Sequence, residues 1–119
     1  CVVCRLGDIE NPDMIGEVAD LLLRNEESTW AFCCGAHGGR LLLSLRTSDN
    51  AANAGRVAHR IVGRDGSAGG HSAMAGGQIP LTGKNKKQRE SVEKRLIQRF
   101  LKAMDCSNAS PESLILPKS

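Results

Sequence analysis

"STWAFCCGAHGGRLLLSLRT", residues 28–47, decides the fold. Trp30, Phe32 and Cys34 alternate with small residues, and Leu41, Leu43 and Leu45 repeat the alternation further on. A period of two marks half-buried strands. Between the runs stands His37-Gly38-Gly39, and consecutive glycines suit the left-handed angles of a tight turn. The stretch reads as a β-hairpin. Its second strand has another face: Ser44 and Arg46, two residues apart, emerge together on the side opposite Leu43 and Leu45. A strand that sinks leucines into a core therefore delivers a hydroxyl and a guanidinium to one place. The planar fork of arginine suits phosphate or carboxylate. In open α/β sheets ligands gather beyond the carboxyl ends of strands, which is where Arg46 and Thr47 stand.

Outward from the hairpin, "CVVCRLG" (1–7) reads as a buried strand stopped by Gly7. "NPDMIGEVADLLLRN" (11–25) reads as a helix, with Asn11 as cap, Pro12 in the first helical position and Asp13 at the positive end of the dipole. Ile15, Val18, Ala19, Leu22 and Leu23 form its apolar stripe. A second helix over about 51–62 enters through Ser48, Asp49 and Asn50, buries Ala54, Val57, Ala58 and Ile61, and ends at Gly63. "SAGGHSAMAGG" (67–77) then reads as a loop, because glycine inside a regular element costs about 0.5–1 kcal/mol relative to alanine. Such a loop is either a plain connector or a backbone that must approach something closely. "GQIPL" (77–81) is strand-like, with Pro80 confined to an edge or end. "NKKQRESVEKRLIQRFLKAMD" (85–105) is an amphipathic helix with Val92, Leu96, Phe100 and Met104 spaced by four, and the tail adds a brief strand at Leu114–Leu116. The order predicts an α/β fold in a single domain: a mixed β-sheet of about five strands with helices packed on it. Residues 1–83 form its core and residues 84–119 a basic helix and tail.

Composition narrows the function classes. Of 119 residues 40% are hydrophobic but only 3% aromatic, so the core is aliphatic. No run of about 18 apolar residues is available to span a membrane, and no signal-peptide pattern stands at the start. The first residue is not methionine and already belongs to a strand pattern, so a piece cut from a longer chain is expected. Five cysteines (Cys1, Cys4, Cys33, Cys34, Cys106), an odd number, suggest reduced thiols and a cytoplasmic protein. "CVVC" has zinc-like spacing, yet strand residues three apart face opposite ways and no second ligand pair follows, so these cysteines read as small hydrophobes. The net charge of +3 is unevenly spread: Lys84 to Lys102 holds eight basic residues against Glu90 and Glu93. Such clustering favours polyanionic partners, the plain alternative being a solvated helix face. His37 belongs to a turn and His59 lies off its helix stripe. A Cys–His nucleophile pair lacks a third, orienting group.

Spacing alone allows the amides around Gly69 and Gly70, with His71 beside them, to face an anion. The stretch is neither a P-loop nor a dinucleotide fingerprint. "SLRTS" (44–48), the helix "NAGRVAHRIVG" (53–63) and "GGHSAMAGG" (69–77) together resemble the DHH-associated domain, the C-terminal half of the DHH phosphoesterases, whose members include oligoribonuclease-type and exopolyphosphatase-like enzymes. The family pattern is S-x-R-S, a helix, then G-G-G-H-x-x-A-A-G and a strand. Ser44 and Arg46 match the first motif, with Thr47 in place of serine; Gly69, Gly70, His71, Ala75 and Gly76 match the second. Ala68 and Met74 depart from it.

The resemblance implies that Ser44, Arg46, Thr47, Gly69, Gly70, His71, Ala75 and Gly76 hold substrate phosphate. It implies no catalytic residue and no cofactor in this chain, the manganese ions belonging to a separate N-terminal domain with an Asp–His–His motif. The implied partners are that domain and a short oligonucleotide, nucleotide or polyphosphate, with no membrane; a homodimer stays open. The alternative is a nucleic-acid-binding module without hydrolytic role, since the same domain type ends alanyl-tRNA synthetases. The basic helix supports it, although no aromatic side chain interleaves the charges to stack bases. A structural or dimerisation role is the third reading.

Overall fold

A mixed sheet with helices on both faces is built in the computed structural model, which describes residues 1–25, 29–82, 86–104 and 113–115. The elements are β1 (Val2–Asp8), α1 (Asp13–Asn25), β2 (Trp30–His37), β3 (Arg40–Thr47), α2 (Ala54–Val62), β4 (Ser67–Gly70), β5 (Met74–Pro80), α3 (Lys86–Ala103) and β6 (Ser113–Ile115). Six strands lie in the order β4-β5-β3-β2-β1-β6. β1 runs parallel to β2 and β6, while the β2–β3, β3–β5 and β4–β5 pairs are antiparallel.

The central hairpin has the register its alternation predicts, with Phe32 opposite Leu45, Cys34 opposite Leu43 and Ala36 opposite Leu41. Gly38 and Gly39 take φ of 60° and 75° in the turn, angles that side chains disfavour. The face of Trp30, Phe32, Cys34 and the three leucines packs against α2 and α3 as the main core. Few aromatics suffice because they meet: Phe100 of α3 lies 5.2 Å from Phe32 and edge-on to Trp30 at 6.3 Å. The other face holds a smaller core of Cys4, Leu6, Cys33, Ile15 and Ala19 under α1. Asn11 caps α1 as expected, its side-chain oxygen accepting from the Asp13 amide at 3.0 Å.

Two expectations are corrected. α2 starts at Ala54 rather than near 51, capped by Asn53, whose side chain accepts from the Arg56 amide. Asp49 makes its own turn instead, accepting from the Ala51 amide at 2.9 Å, so the chain between 49 and 52 is not helical. The glycine stretch is not a loop either. Ser67–Gly70 and Met74–Pro80 form an antiparallel pair that leaves only residues 71–73 as a turn. Strand pairing overrides the weak propensity of glycine here. β4 is thus the strand missing from an expected count of about five. The tail strand is found over Ser113–Ile115, and Cys106 lies outside the described residues.

α3 is fixed by charge as well as by its apolar stripe. Glu93 is 1% exposed and receives Arg5 Nε at 2.9 Å and Arg89 Nε at 3.2 Å, while Arg89 also reaches Asp8 at 2.9 Å. The hydrogen bond to Glu93 raises the pKa of Arg5 against its partial burial. At Arg89 burial opposes the charge, but Asp8 and Glu93 raise its pKa overall. Further along, Arg95 and Arg99 meet Asp65 at 3.5 and 3.1 Å, and Arg99 also donates to the Ile61 carbonyl. Three arginines of the basic segment are therefore spent on carboxylates of this chain. No helix among the described residues is long and apolar enough to cross a membrane.

Candidate functional site

α1 lies over β1, β2 and β3, while α2 packs on β3, β4 and β5 from the opposite side. The α1-side face of β5 and β4 is consequently open. Register fixes what stands on it, because paired residues share a face. Arg46 pairs with Met74; Ser44, Gly76 and Gly69 form the next row; Leu42, Gln78 and Ser67 form the row after that. A groove of about 340 Å³ runs over this surface, with Gly69 and Gly76 in it and Leu42, Gln78 and Ser67 around it.

Ser44, Arg46, Gly69 and Gly76 are thus brought to one face, as alternation on β3 and β5 requires. Arg46 is largely buried there, its side chain 13% exposed. Its Nε donates to Asp20 of α1 at 2.7 Å, and Nη1 to the carbonyls of Leu45 at 2.8 Å and Ala75 at 3.4 Å. A Cβ on Gly16 would stand 2.8 Å from Arg46 Nη2, so the glycine gives the guanidinium its room beneath α1. Met74, one of the departures from the family motif, is 45% exposed in register with Arg46.

The other candidates are placed differently. Thr47 is 5% exposed; its hydroxyl donates to the Thr29 carbonyl and accepts from the Asp49 amide. Ala75 is buried in the main core, and Gly70 pairs with it. A Cβ on Gly70 would come within 2.4 Å of Ala75 Cα, so this glycine serves the approach of β4 to β5. His71 opens the β4–β5 turn with an exposed side chain. Its amide donates to the Met74 carbonyl at 2.7 Å, which ties it to the residue facing Arg46. The turn also closes off the positive end of α2: Ala54 N donates to Ser72 O and Gly55 N to His71 O, both at 3.0 Å. No hydrogen bond joins Arg46 to His71 among the described residues, although both stand at the same end of the sheet.

That end is the carboxyl end of β3, as its direction suggests, but not of every strand in the sheet. β3 is antiparallel to β2, so Arg46 is in register with Ala31, and Ala31 with Val2. The carboxyl ends of β3 and β4 meet the amino ends of β1 and β2. The rule for parallel sheets does not transfer to this mixed one.

Asp20, Gly16, Gln78 and Ser67 were not singled out by motif. Gly16 and Asp20 are four apart on α1 and so share a helix face, while Gln78 follows Gly76 by the strand period. Two of the buried thiols, Cys33 and Cys34, are disfavoured as thiolates. Cys33 is pushed up by its hydrogen bond with Cys4 and by burial, and Cys34 by burial and then by the Glu93 charge. Among the described residues no three His, Cys, Asp or Glu side chains gather into a metal site.

Three comparisons bear on this arrangement. A curated sequence described as Uncharacterized protein MJ1633, from Methanocaldococcus jannaschii, is 34% identical over 76 residues, 64% of this chain. The match spans only 15% of that relative's length. The crystal structure of the C-Ala domain from Aquifex aeolicus alanyl-tRNA synthetase is similar in fold. It has a TM-score of 0.56 and 21% identity, and the match covers 80% of this chain and 88% of that one. The DHHA1 domain family matches residues 1–104, which include the β3 arginine and the glycine-rich β4–β5 hairpin. The chain therefore belongs to the DHHA1 domain family.

Proposed function

We propose that this chain is the substrate-binding domain of a metal-dependent DHH-family phosphoesterase, holding the phosphate of a nucleotide or oligonucleotide for a catalytic domain elsewhere in the protein. The observation that carries the reading is the partly buried Arg46 at the border of an open, glycine-floored face, beside Ser44 and at the same end of the sheet as His71. A guanidinium in such a site, shielded from water, interacts strongly with an incoming anion. Bare glycine backbone lets a ligand approach the sheet closely. The described residues do not fit manganese, since they present no cluster of donors. In this proposal the ions belong to the other domain, where they supply metal-activated water, and Arg46, Ser44 and His71 only bind and orient. The expected result is that this chain binds a 5′-phosphorylated dinucleotide in the presence of a chelator and leaves it intact when manganese is added. Chelator-sensitive cleavage by the purified chain would overturn it.

A second reading, nucleic-acid binding without hydrolysis, rests on the basic side of α3. Arg89, Arg95 and Arg99 are engaged with Asp8, Glu93 and Asp65, which leaves this side thinner in positive charge than the sequence count suggests. Lys94 and Lys102 are exposed. Each phosphate neutralised on a single strand contributes roughly −0.7 to the slope of log affinity against log salt. Reversing both lysines to glutamate should leave the slope for a short single strand unchanged if the β3–β5–β4 face binds it. A flatter slope assigns binding to α3.

A further inference from the structure

We infer that the outer face of α2 holds the backbone of a single-stranded nucleic acid by charge, on the side of the sheet away from Arg46 and independently of the phosphate site proposed there. Residues 50–64 contain no Asp or Glu, and Arg56, Arg60 and Arg64 give them a charge equal to the whole chain's net +3. All three arginines are exposed, as is His59. Arg56, His59 and Arg60 stand at i, i+3 and i+4 and so share one helix face, opposite the buried Ala54, Ala58 and Ile61. Arg64 follows in the turn after Gly63.

The fold does not use these charges. Among the described residues Arg56, Arg60 and Arg64 form no ion pair, whereas Arg89, Arg95 and Arg99 of α3 are all bound to carboxylates. Their placement even works against the helix. Like charges four residues apart repel, and Arg56 stands in a first turn that holds no acidic residue, where a cation opposes the helix dipole. A solvated face arranged for stability alternates in sign, as Lys86 and Glu90 do on α3 at 3.9 Å.

The kind of partner follows from what the face lacks. Among the described residues the exposed large hydrophobics are Leu21 and Met74, neither of them on α2. A protein surface or a membrane would therefore find no apolar anchor here. A phosphodiester backbone needs none, because charge holds it and the planar fork of arginine fits its oxygens. Four residues of helix advance about 6 Å, a step comparable with that between successive phosphates of an extended strand. Where α2 meets α3 the surface stays positive. Arg95 and Arg99 share the one carboxylate of Asp65 at 3.5 and 3.1 Å, and Arg64 precedes it in the chain.

The test is fluorescence anisotropy of the whole chain with a 3′-labelled oligothymidylate of roughly twelve nucleotides that carries no 5′-phosphate. The double variant Arg56→Glu, Arg60→Glu should weaken binding about tenfold at low salt. It should also flatten the slope of log affinity against log salt by roughly 1.4, two phosphates at about 0.7 each. Arg46→Ala should bind this oligomer like the parent, and the double variant should bind ribose 5-phosphate, which reads the Arg46 face, like the parent. Arg56→Glu alone places an acid at the positive end of the dipole, so its melting midpoint should rise while binding weakens, which separates lost binding from lost fold. An unchanged slope in the double variant would overturn the inference, as would tighter binding of polyglutamate or of a duplex of the same length. Loss of oligomer binding in Arg46→Ala but not in the double variant would overturn it and leave the phosphate site standing. Oligomer binding that depends on α2, with no response to ribose 5-phosphate, would support it and overturn the phosphate reading.

Discussion

Glu93→Ala should cost the fold about 3 kcal/mol, near the lower end of the range for breaking a buried ion pair from one side. Arg5 and Arg89 converge on this carboxylate from β1 and from one turn earlier in α3, and its side chain is 2% exposed. Its removal leaves two guanidiniums with less compensation. Arg89 keeps Asp8, and Arg5, with 32% of its side chain exposed, retains some water, which places the cost at the low end. Cys34 Sγ, 3.8 Å from the same carboxylate, loses a weak acceptor as well. Denaturant unfolding of the variant should show the midpoint lowered at unchanged slope. Glu93→Gln should recover part of the loss by keeping the hydrogen-bond acceptor. A variant as stable as the parent would show that α3 is held by its apolar stripe alone.

Arg46→Ala should weaken binding of ribose 5-phosphate by about 10- to 100-fold, the effect of removing a hydrogen bond to a charged group worth roughly 1.5–3 kcal/mol. Because Arg46 also bonds Asp20 and two carbonyls, a stability loss of about 1 kcal/mol should accompany it. Asp20→Asn separates the two roles. It removes a negative charge 2.7 Å from the guanidinium while keeping an oxygen acceptor, so an incoming anion no longer competes with a carboxylate. Phosphate affinity should rise in Asp20→Asn and fall in Arg46→Ala, both read by calorimetry. If Arg46→Ala only lowers stability and binds like the parent, Arg46 is a structural clamp between α1 and β3.

Much of this was legible before the structure. The alternation in 30–36 and 41–47 fixed strand faces, so Ser44 and Arg46 could be placed together from sequence alone. The glycine stretch was not legible as strand, because local propensity carries no information about β5 pairing with both β3 and β4. Gly70 is glycine for closeness to Ala75, a contact that exists only once the hairpin has formed. The counter-ions were hidden for a similar reason. Asp20 lies 26 residues from Arg46, and Glu93 lies 88 from Arg5, so neither pair has a local signature. A count of eight basic residues along 84–102 likewise overstated the free charge of α3, since Asp65 and Asp8 come from elsewhere in the chain.

The central claim is that phosphate is held at the Arg46 end of the β3–β5–β4 face. The direct measurement follows the Arg46 side-chain Nε–H and His71 ring signals by NMR during titration with ribose 5-phosphate. Saturable shifts at Arg46, His71 and Gly69, with the backbone signals of Lys94 and Lys102 unmoved, are the predicted result. An Arg46 signal that stays fixed to Asp20 while α3 responds would contradict it.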